Sequence, residues 1–433
     1  MKGAKILEWY NSLQLYLKPS LIVIFFLGFF AGLPFLLMFG TLTAWLAQVG
    51  VTKTAIGLFV FTSMPFAIKF LWAPFVDKLS LPVFCSILGQ RRGWLLFAQL
   101  SCVVCLFGIG LSDPASNILP LALWTIVLSF ASATQDIVID AYRIESLKDN
   151  EQGLGAASYQ LGYRVALIAA GAGALLMADT AGWSLTYFFM AGLMCSGAFL
   201  TLLIAEPQPF GASLGAMPVS SSSYLVWVNS AVVEPFREFM SRPGWWSILV
   251  FVAFYKYADG IWAAMANPFY LDVGFTLSQI GVISKTYGVV MTIIGSLLGG
   301  VVVATIGVYR SVLLGVIIMA LTNLLYALLA WVGPSVTGLV WVISIENICN
   351  GIGGTAFIAY LSLLCNKTYT ATQYALLTSF MNLSRTFLAS GGGWLAEQFD
   401  WPTFFILTTL AGAPGILLCI YLIRRYPNHL SVN

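Results

Sequence analysis

Twelve apolar runs, each near or above the length of a bilayer-crossing helix, recur along this chain. They fall near 20–47, 55–76, 94–111, 119–141, 155–177 and 184–205. After a polar interruption from Glu206 to Arg242 they resume near 245–270, 279–304, 311–333, 338–364, 373–396 and 403–423. About 20 residues at 1.5 Å rise cross the ~30 Å hydrocarbon layer, so each run reads as a transmembrane helix. Charged residues make up only 9% of the 433 and apolar ones 59%, against roughly 25% and 45–50% in soluble domains. A chain this poor in charge cannot cover its surface against water. The expected fold class is an all-α polytopic membrane protein of about 12 transmembrane helices.

The positions of Lys and Arg orient those helices. With the N-terminus inside, fourteen of the 20 fall in cytoplasmic segments, among them Lys78, Arg91, Arg92, Arg143, Arg242 and Arg425, and only Lys53 falls in an outer loop. Such a bias places both termini in the cytoplasm of a bacterial inner membrane and calls for an even number of spans. The N-terminal segment has no small-residue cleavage site and is followed by too long an apolar run for a signal peptide, so the first span is expected to stay.

The two halves resemble each other. VGVTKTAIG at 49–57 matches VGFTLSQIG at 273–281, and Gln152 to Arg164 has the spacing of Gln373 to Arg385. Ala178-Asp179 with Trp183 matches Ala396-Glu397 with Trp401. Three matches in order at nearly constant offset argue for duplication. An even number of spans per half makes the repeat parallel, with a binding site at the midplane between the halves. The expected organisation is a six-helix half over 1–205, a linker over 206–243 and a second six-helix half over 244–433. The linker holds the low-complexity patch SLGAMPVSSSS, followed by YLVWVNSAVVEPFREFM, which reads as an interfacial helix.

Several chemistries are set aside. The one histidine, His429, lies in the C-terminal tail, which removes histidine metal sites, triads and proton relays. Cys102 and Cys105 form a CxxC without any polar or histidine neighbour and read as buried apolar residues. No metal, cofactor or nucleic-acid partner is expected, and no obligate protein partner is indicated. Glycine-rich fragments follow no soluble strand, which sets nucleotide binding aside. AGLP at 31–34, with Gly32 and Pro34, is expected to interrupt the first span and NGIGG at 350–354 the tenth, while IGSLLGG at 294–300 suits close packing.

Charges within the spans carry most of the functional information, since each costs ~2.5–3.5 kcal/mol at the bilayer centre unless it faces protein or water. The cations are Lys69, Arg164, Lys256, Lys285 and Arg385; the acids are Asp136, Asp140, Asp259 and Glu346. Arg164 and Arg385 hold equivalent places in the repeat and are expected to face each other and contact substrate. Lys256 and Asp259, three apart on one helix face, read equally as an internal pair or as functional groups. Lys69 can snorkel towards the cytoplasm. Without a usable histidine, a proton-coupled carrier must use a carboxylate, and moving one between apolar and cationic surroundings changes its proton affinity. Asp136, beside Gln135, is the first candidate, with Glu346 and Asp259 next. Asp140 lies near Arg143 and reads as a helix-end pair.

Taken together, AGLPFLLMFGTLTAW (31–45), KFLWAPFVDK (69–78), RRGW (91–94), SATQDIVIDA (132–141) and LGYR (161–164) resemble the AmpG-type muropeptide permeases of the major facilitator superfamily. KYADG (256–260), SKT (284–286), ENICNGIGGTAF (346–357) and LCNKTYTATQYALL (364–377) continue the resemblance in family order. It implies the major facilitator fold and proton-driven import, from periplasm to cytoplasm, of anhydro-muropeptides: N-acetylglucosamine joined to 1,6-anhydro-N-acetylmuramic acid, with or without peptide. That import serves peptidoglycan recycling and, in many Gram-negative bacteria, beta-lactamase induction. In that setting Arg164, Arg385, Lys256, Lys285 and Gln135 are candidate substrate ligands, with Trp45, Tyr163, Tyr257 and Tyr287 lining the path. Asp77, Arg91, Arg92 and Asp140, with Gly32 and Pro34, are candidate gating or structural residues. Some members of the family continue with two more spans; this sequence runs to Asn433, so a role for such an extension is expected to be absent. The alternatives are a related permease for an acyl-coenzyme A ester or a sugar phosphate, and a membrane enzyme or non-transporting sensor. An enzyme would want a nucleophile or clustered acid–base site, and a sensor a soluble output domain; the sequence offers neither.

Overall fold

A computed structural model of the chain describes residues 15–51, 59, 62, 64–207, 233–276, 279–389 and 392–426. Lys53, the low-complexity patch, His429 and the side chains of Lys285 and Arg385 lie outside the described residues. So does most of the first sequence match between the halves. All regular structure among the described residues is helical.

Nine helical stretches are long and apolar enough to cross a membrane among the described residues, from Pro19–Gln48 to Trp401–Arg425. Three further spans are described in shorter pieces, and the second and seventh are broken within described residues. The second is built from Met64–Ile68, Lys69–Leu71 and Ala73–Lys78, the last piece starting where Pro74 has no N–H to give. The seventh is Trp245–Phe254 followed by Tyr257–Val273, and the eleventh is Thr370–Ala389 followed by Gly392–Gln398. The spans alternate in direction. The end where the first begins and the twelfth finishes is called the near face below.

The two halves meet by exchange of equivalent helices. The fifth span (Gln152–Ile168) packs on the eighth (Gly288–Ile306) and tenth (Val336–Leu363). The eleventh packs on the second and on the fourth (Ile118–Ser146). Exchanging each span for its equivalent six places away, the fifth for the eleventh, the eighth for the second and the tenth for the fourth, turns the first set into the second, as a parallel repeat requires.

The glycines act differently from the expectation. The tenth helix runs unbroken through NGIGG. A methyl on Gly351 would lie 2.5 Å from Thr292 O and Ser296 N of the eighth span, and Gly353 meets Gly315 of the ninth. These residues let backbones touch, as small residues do where helices cannot use the hydrophobic effect to associate. The first helix likewise continues through Pro34 to Met38 and breaks only at Phe39. Gly32 lies against the Tyr163 carbonyl of the fifth span, 2.8 Å from where its Cβ would stand.

The described part of the interfacial segment is the helix Glu234–Ser241. It is tied to protein rather than free on a surface: Tyr369 donates to Glu234 (3.0 Å), and Gln373 donates to Glu238 and to the Pro235 carbonyl.

Candidate functional site

A cavity of about 300 Å³ lies between the halves at mid-span. The fifth span brings Arg164 to it from the first half; the seventh brings Lys256, Asp259 and Trp262. The eighth contributes Ser284 and Thr292, and the tenth Glu346, Asn347 and Asn350. Local breaks aim these groups. Lys256 sits at the non-helical joint of the seventh span, so Asp259 falls in the first turn of the next helix, where a carboxylate is favoured. The joint is fixed by Tyr255, which stacks on Phe357 at 3.9 Å and donates to Gly353 O. Ser284 lies in a π-helical segment, Ile280–Tyr287, a deviation often met at functional sites.

Glu346 is held by neutral donors: Asn347 Nδ2 at 2.6 Å and Asn350 Nδ2 at 2.9 Å. Asn347 is itself fixed by Thr292 Oγ1 (2.7 Å) and the Ile343 carbonyl. The amides fix the carboxylate without neutralising it. Arg164 belongs to none of the ion pairs among the described residues.

A second charged cluster lies in the first half. Asp140 is 3.9 Å from Lys69 Nζ and 3.6 Å from Arg143, and Lys69 and Asp140 are the charged groups acting on Asp136. One carboxylate oxygen of Asp136 is buried without a hydrogen-bond partner among the described residues, a costly arrangement that calls for an explanation. Lys69 is buried at 7% exposure, so it pairs inside the protein instead of snorkelling. Arg143, assigned by its position to a loop, is fully buried. It donates to Ser362 of the other half (3.0 Å) and lies over the Tyr374 ring.

The near face carries an ion-pair network. Arg91 binds Asp77 (2.8 Å) and Glu145 (2.6 Å). Asp77 reaches across to the start of the eleventh span, accepting from Thr372 N (2.8 Å), Thr372 Oγ1 (2.6 Å) and Ala371 N. Glu206 caps the third span (Gln90–Leu111) through the N–H groups of Arg91 and Arg92, and Arg92 donates to the Thr201 and Leu202 carbonyls. Burial holds the Glu206 carboxyl above its ordinary value, although these N–H donors and Arg91 pull the other way. A larger depression, about 1140 Å³, lies beside this network and is lined by Glu145, Lys148, Asp149 and Lys367, away from the mid-span charges.

The structure thus gathers Arg164, Lys256, Asp259 and Glu346, which are scattered in sequence, around one cavity. It places others elsewhere. Gln135 is fully buried and donates to the Phe30 carbonyl of the first span at 2.6 Å, while its own Oε1 has no hydrogen-bond partner among the described residues. Trp45 stacks on Trp183 at 5.6 Å inside the core of the first half. Tyr163 packs near Phe35 and Tyr159, Tyr257 lies edge-on to Phe254, and Tyr287 bonds Ser344 at 2.8 Å. None of these five lines the cavity. Sequence reading passed over Asn350 and Trp262. Asn350 was findable, four residues from Glu346 and so on the same helix face.

Comparison with known proteins accords with this geometry. The major facilitator superfamily family model matches residues 248–433, and a family model described as acetyl-coenzyme A transporter 1 matches residues 14–115. The fold resembles a proton:xylose symporter structure, XylE, at TM-score 0.66 and 12% identity, covering 96% of each chain. It also resembles FucP in its outward conformation, at TM-score 0.64 and 12% identity, covering 94% of this chain and 99% of that one. These likenesses define the class: a multi-pass membrane protein with the major facilitator fold. The anhydromuropeptide permease of Escherichia coli K12 is 34% identical over 423 residues, 97% of this chain and 83% of the relative. A putative transporter AmpG 4 of Rickettsia felis is 33% identical over 404 residues, 93% of this chain and 96% of the relative. The chain belongs to the AmpG-type anhydromuropeptide permease family; it is a transporter and not an enzyme.

Proposed function

We propose that this protein imports anhydro-muropeptides across the bacterial inner membrane, driven by protons. The observation that carries this reading is the similarity to the Escherichia coli permease along almost the whole chain. The site supports it, because a charged, amide-lined cavity between two halves is where an alternating-access carrier would hold a polar ligand. Arg164 is the cation for a ligand carboxylate; Arg385 and Lys285 are proposed to join it. Asp136 is proposed as the coupling carboxyl, with Glu346 and Asp259 next, because its buried oxygen, unpartnered among the described residues, leaves room for a proton. The near face is the cytoplasmic one, and its ion-pair network closes the inner end of the path.

Uptake of labelled anhydro-muropeptide into vesicles tests the whole reading: accumulation is expected with a proton gradient and not without one. No uptake under either condition overturns it. The family match over residues 14–115 favours one second reading, an acyl-coenzyme A ester as cargo. Among the described residues, however, the cavity's two cations and two acids cancel, a poor match for a polyanion; competition by acetyl-coenzyme A in the same assay would reverse that judgement. For orientation, a cysteine introduced by Ser222→Cys should resist an impermeant thiol reagent in intact cells, and ready labelling would invert the topology.

A further inference from the structure

The second span meets the eleventh and the eighth meets the fifth, and the repeat makes these two contacts equivalent. Their near ends are fastened differently. At the first, Asp77 reaches across from the second span to the N–H groups of Ala371 and Thr372. The equivalent stretch at the end of the eighth span, VVVATIGVYR at 301–310, carries no carboxylate, and only Gly307 separates the eighth span from the ninth. The group that crosses there comes from outside the spans. Tyr16, in a single helical turn (Leu15–Leu17) ahead of the first span, donates its hydroxyl to the Leu297 carbonyl of the eighth span at 2.8 Å. Gly300 leaves the room for it. A methyl at that position would overlap the Tyr16 hydroxyl and stand 2.9 Å from Ala157 Cβ of the fifth span.

We infer that Tyr16 is a latch: it fastens the first half to the eighth span while the near face is closed, and it lets go whenever that face opens. The segment that carries it belongs to the first half. It runs directly into the first span, Lys18 pairs with Glu151 at 2.5 Å, and the Tyr16 ring packs against Leu21, Ile24, Leu147 and Leu154. Its acceptor lies on the second half, so parting the fifth and eighth spans breaks the bond. Breaking it strands neither group. Leu297 lies inside the helix Gly288–Ile306, so its carbonyl keeps the helical N–H four residues on, and water on the near face takes up the phenol. Releasing Asp77 is different, because it uncovers a member of a charged network. A neutral hydrogen bond contributes little net free energy once water can replace it. The latch therefore biases the balance between closed and open without locking it, whichever solute is carried.

The test uses the full-length chain in detergent with a single cysteine, either from Val303→Cys, where the eighth span faces Gly153 of the fifth, or the native Cys365 between the tenth and eleventh spans. Tyr16→Phe keeps the ring and removes the donor. It is expected to quicken alkylation at both positions roughly three- to tenfold, with the thermal unfolding midpoint unchanged. Lys18→Gln, which loosens the segment without altering the ring, should move both rates the same way by less. Unchanged rates at both positions in Tyr16→Phe overturn the inference. Faster alkylation at position 303 alone also overturns it, because the bond would then hold only its own surroundings. So does a gain at both positions accompanied by a lowered midpoint, which would make Tyr16 a part of the fold and not of the gate.

Discussion

Arg91 and Arg164 are both arginines within a bundle made for lipid, yet they are held in opposite ways. Arg91 is enclosed by two carboxylates and the Val76 carbonyl, and one of those carboxylates also caps a helix of the other half. Arg164 opens on a cavity and shares no ion pair among the described residues. Where a buried charge is matched by carboxylates, as Arg91 is by Asp77 and Glu145, it joins parts of the protein to one another. Where its donors are unspent, the molecule has kept the cost of burial for a ligand to offset.

The most severe way to break this comparison is Arg91→Ala. It strands Asp77 and Glu145, and losing one member of a buried pair costs about 3–5 kcal/mol. Thermal unfolding in detergent should show a large loss; an unchanged midpoint would mean that the network holds nothing together. Asp136→Asn comes next and should abolish accumulation against a gradient while sparing ligand binding. Reconstituted protein assayed for both activities decides it: full accumulation moves the proton to Glu346 or Asp259, and lost binding makes Asp136 a substrate ligand.

Arg164→Gln sharpens the contrast. Losing a charged hydrogen bond to the ligand costs about 1.5–3 kcal/mol, roughly 10- to 100-fold in affinity, with unliganded stability nearly unchanged. A stability loss matching that of Arg91→Ala would erase the distinction. The smallest effect is expected from Thr372→Val, which removes one of four donors to Asp77. About 1.4 kcal/mol is a tenfold shift in an equilibrium, so the near face should open more often. Alkylation of buried Cys365, kept as the sole cysteine, should quicken up to tenfold, and an unaltered rate would free Thr372 from the gate.

The fold was largely legible because each span must satisfy its own backbone and so must be written as a long apolar run. The repeat showed in Gln152 and Gln373, both of which the structure buries at the starts of equivalent spans. The site was legible as far as charge goes: an ionisable residue in lipid stands out wherever it points. Polar neutral residues carry no such flag. Gln135 and Asn350 look alike in sequence, but one donates to the Phe30 carbonyl and the other orients Glu346. Arg143 was misread because a span's end cannot be told from its loop to within a turn. Pro34 was misread because a neighbouring helix can satisfy the backbone a proline frees: Gln135 of the fourth span donates to the Phe30 carbonyl, four residues before Pro34.

Gln152 and Gln373 also differ. Gln152 ties its own loop, donating to the Ile144 and Leu147 carbonyls. Gln373 accepts from Asn366 N in its own loop but donates to the helix Glu234–Ser241, whose neighbour Arg242 donates to the Leu364 carbonyl. That short helix is thereby a structural part of the second half. The consequence is a rule for dividing the polypeptide: two separately expressed fragments reassemble best when the cut falls before Glu234, because a cut after Arg242 would leave the second fragment without the partners that Gln373 and the Leu364 carbonyl need.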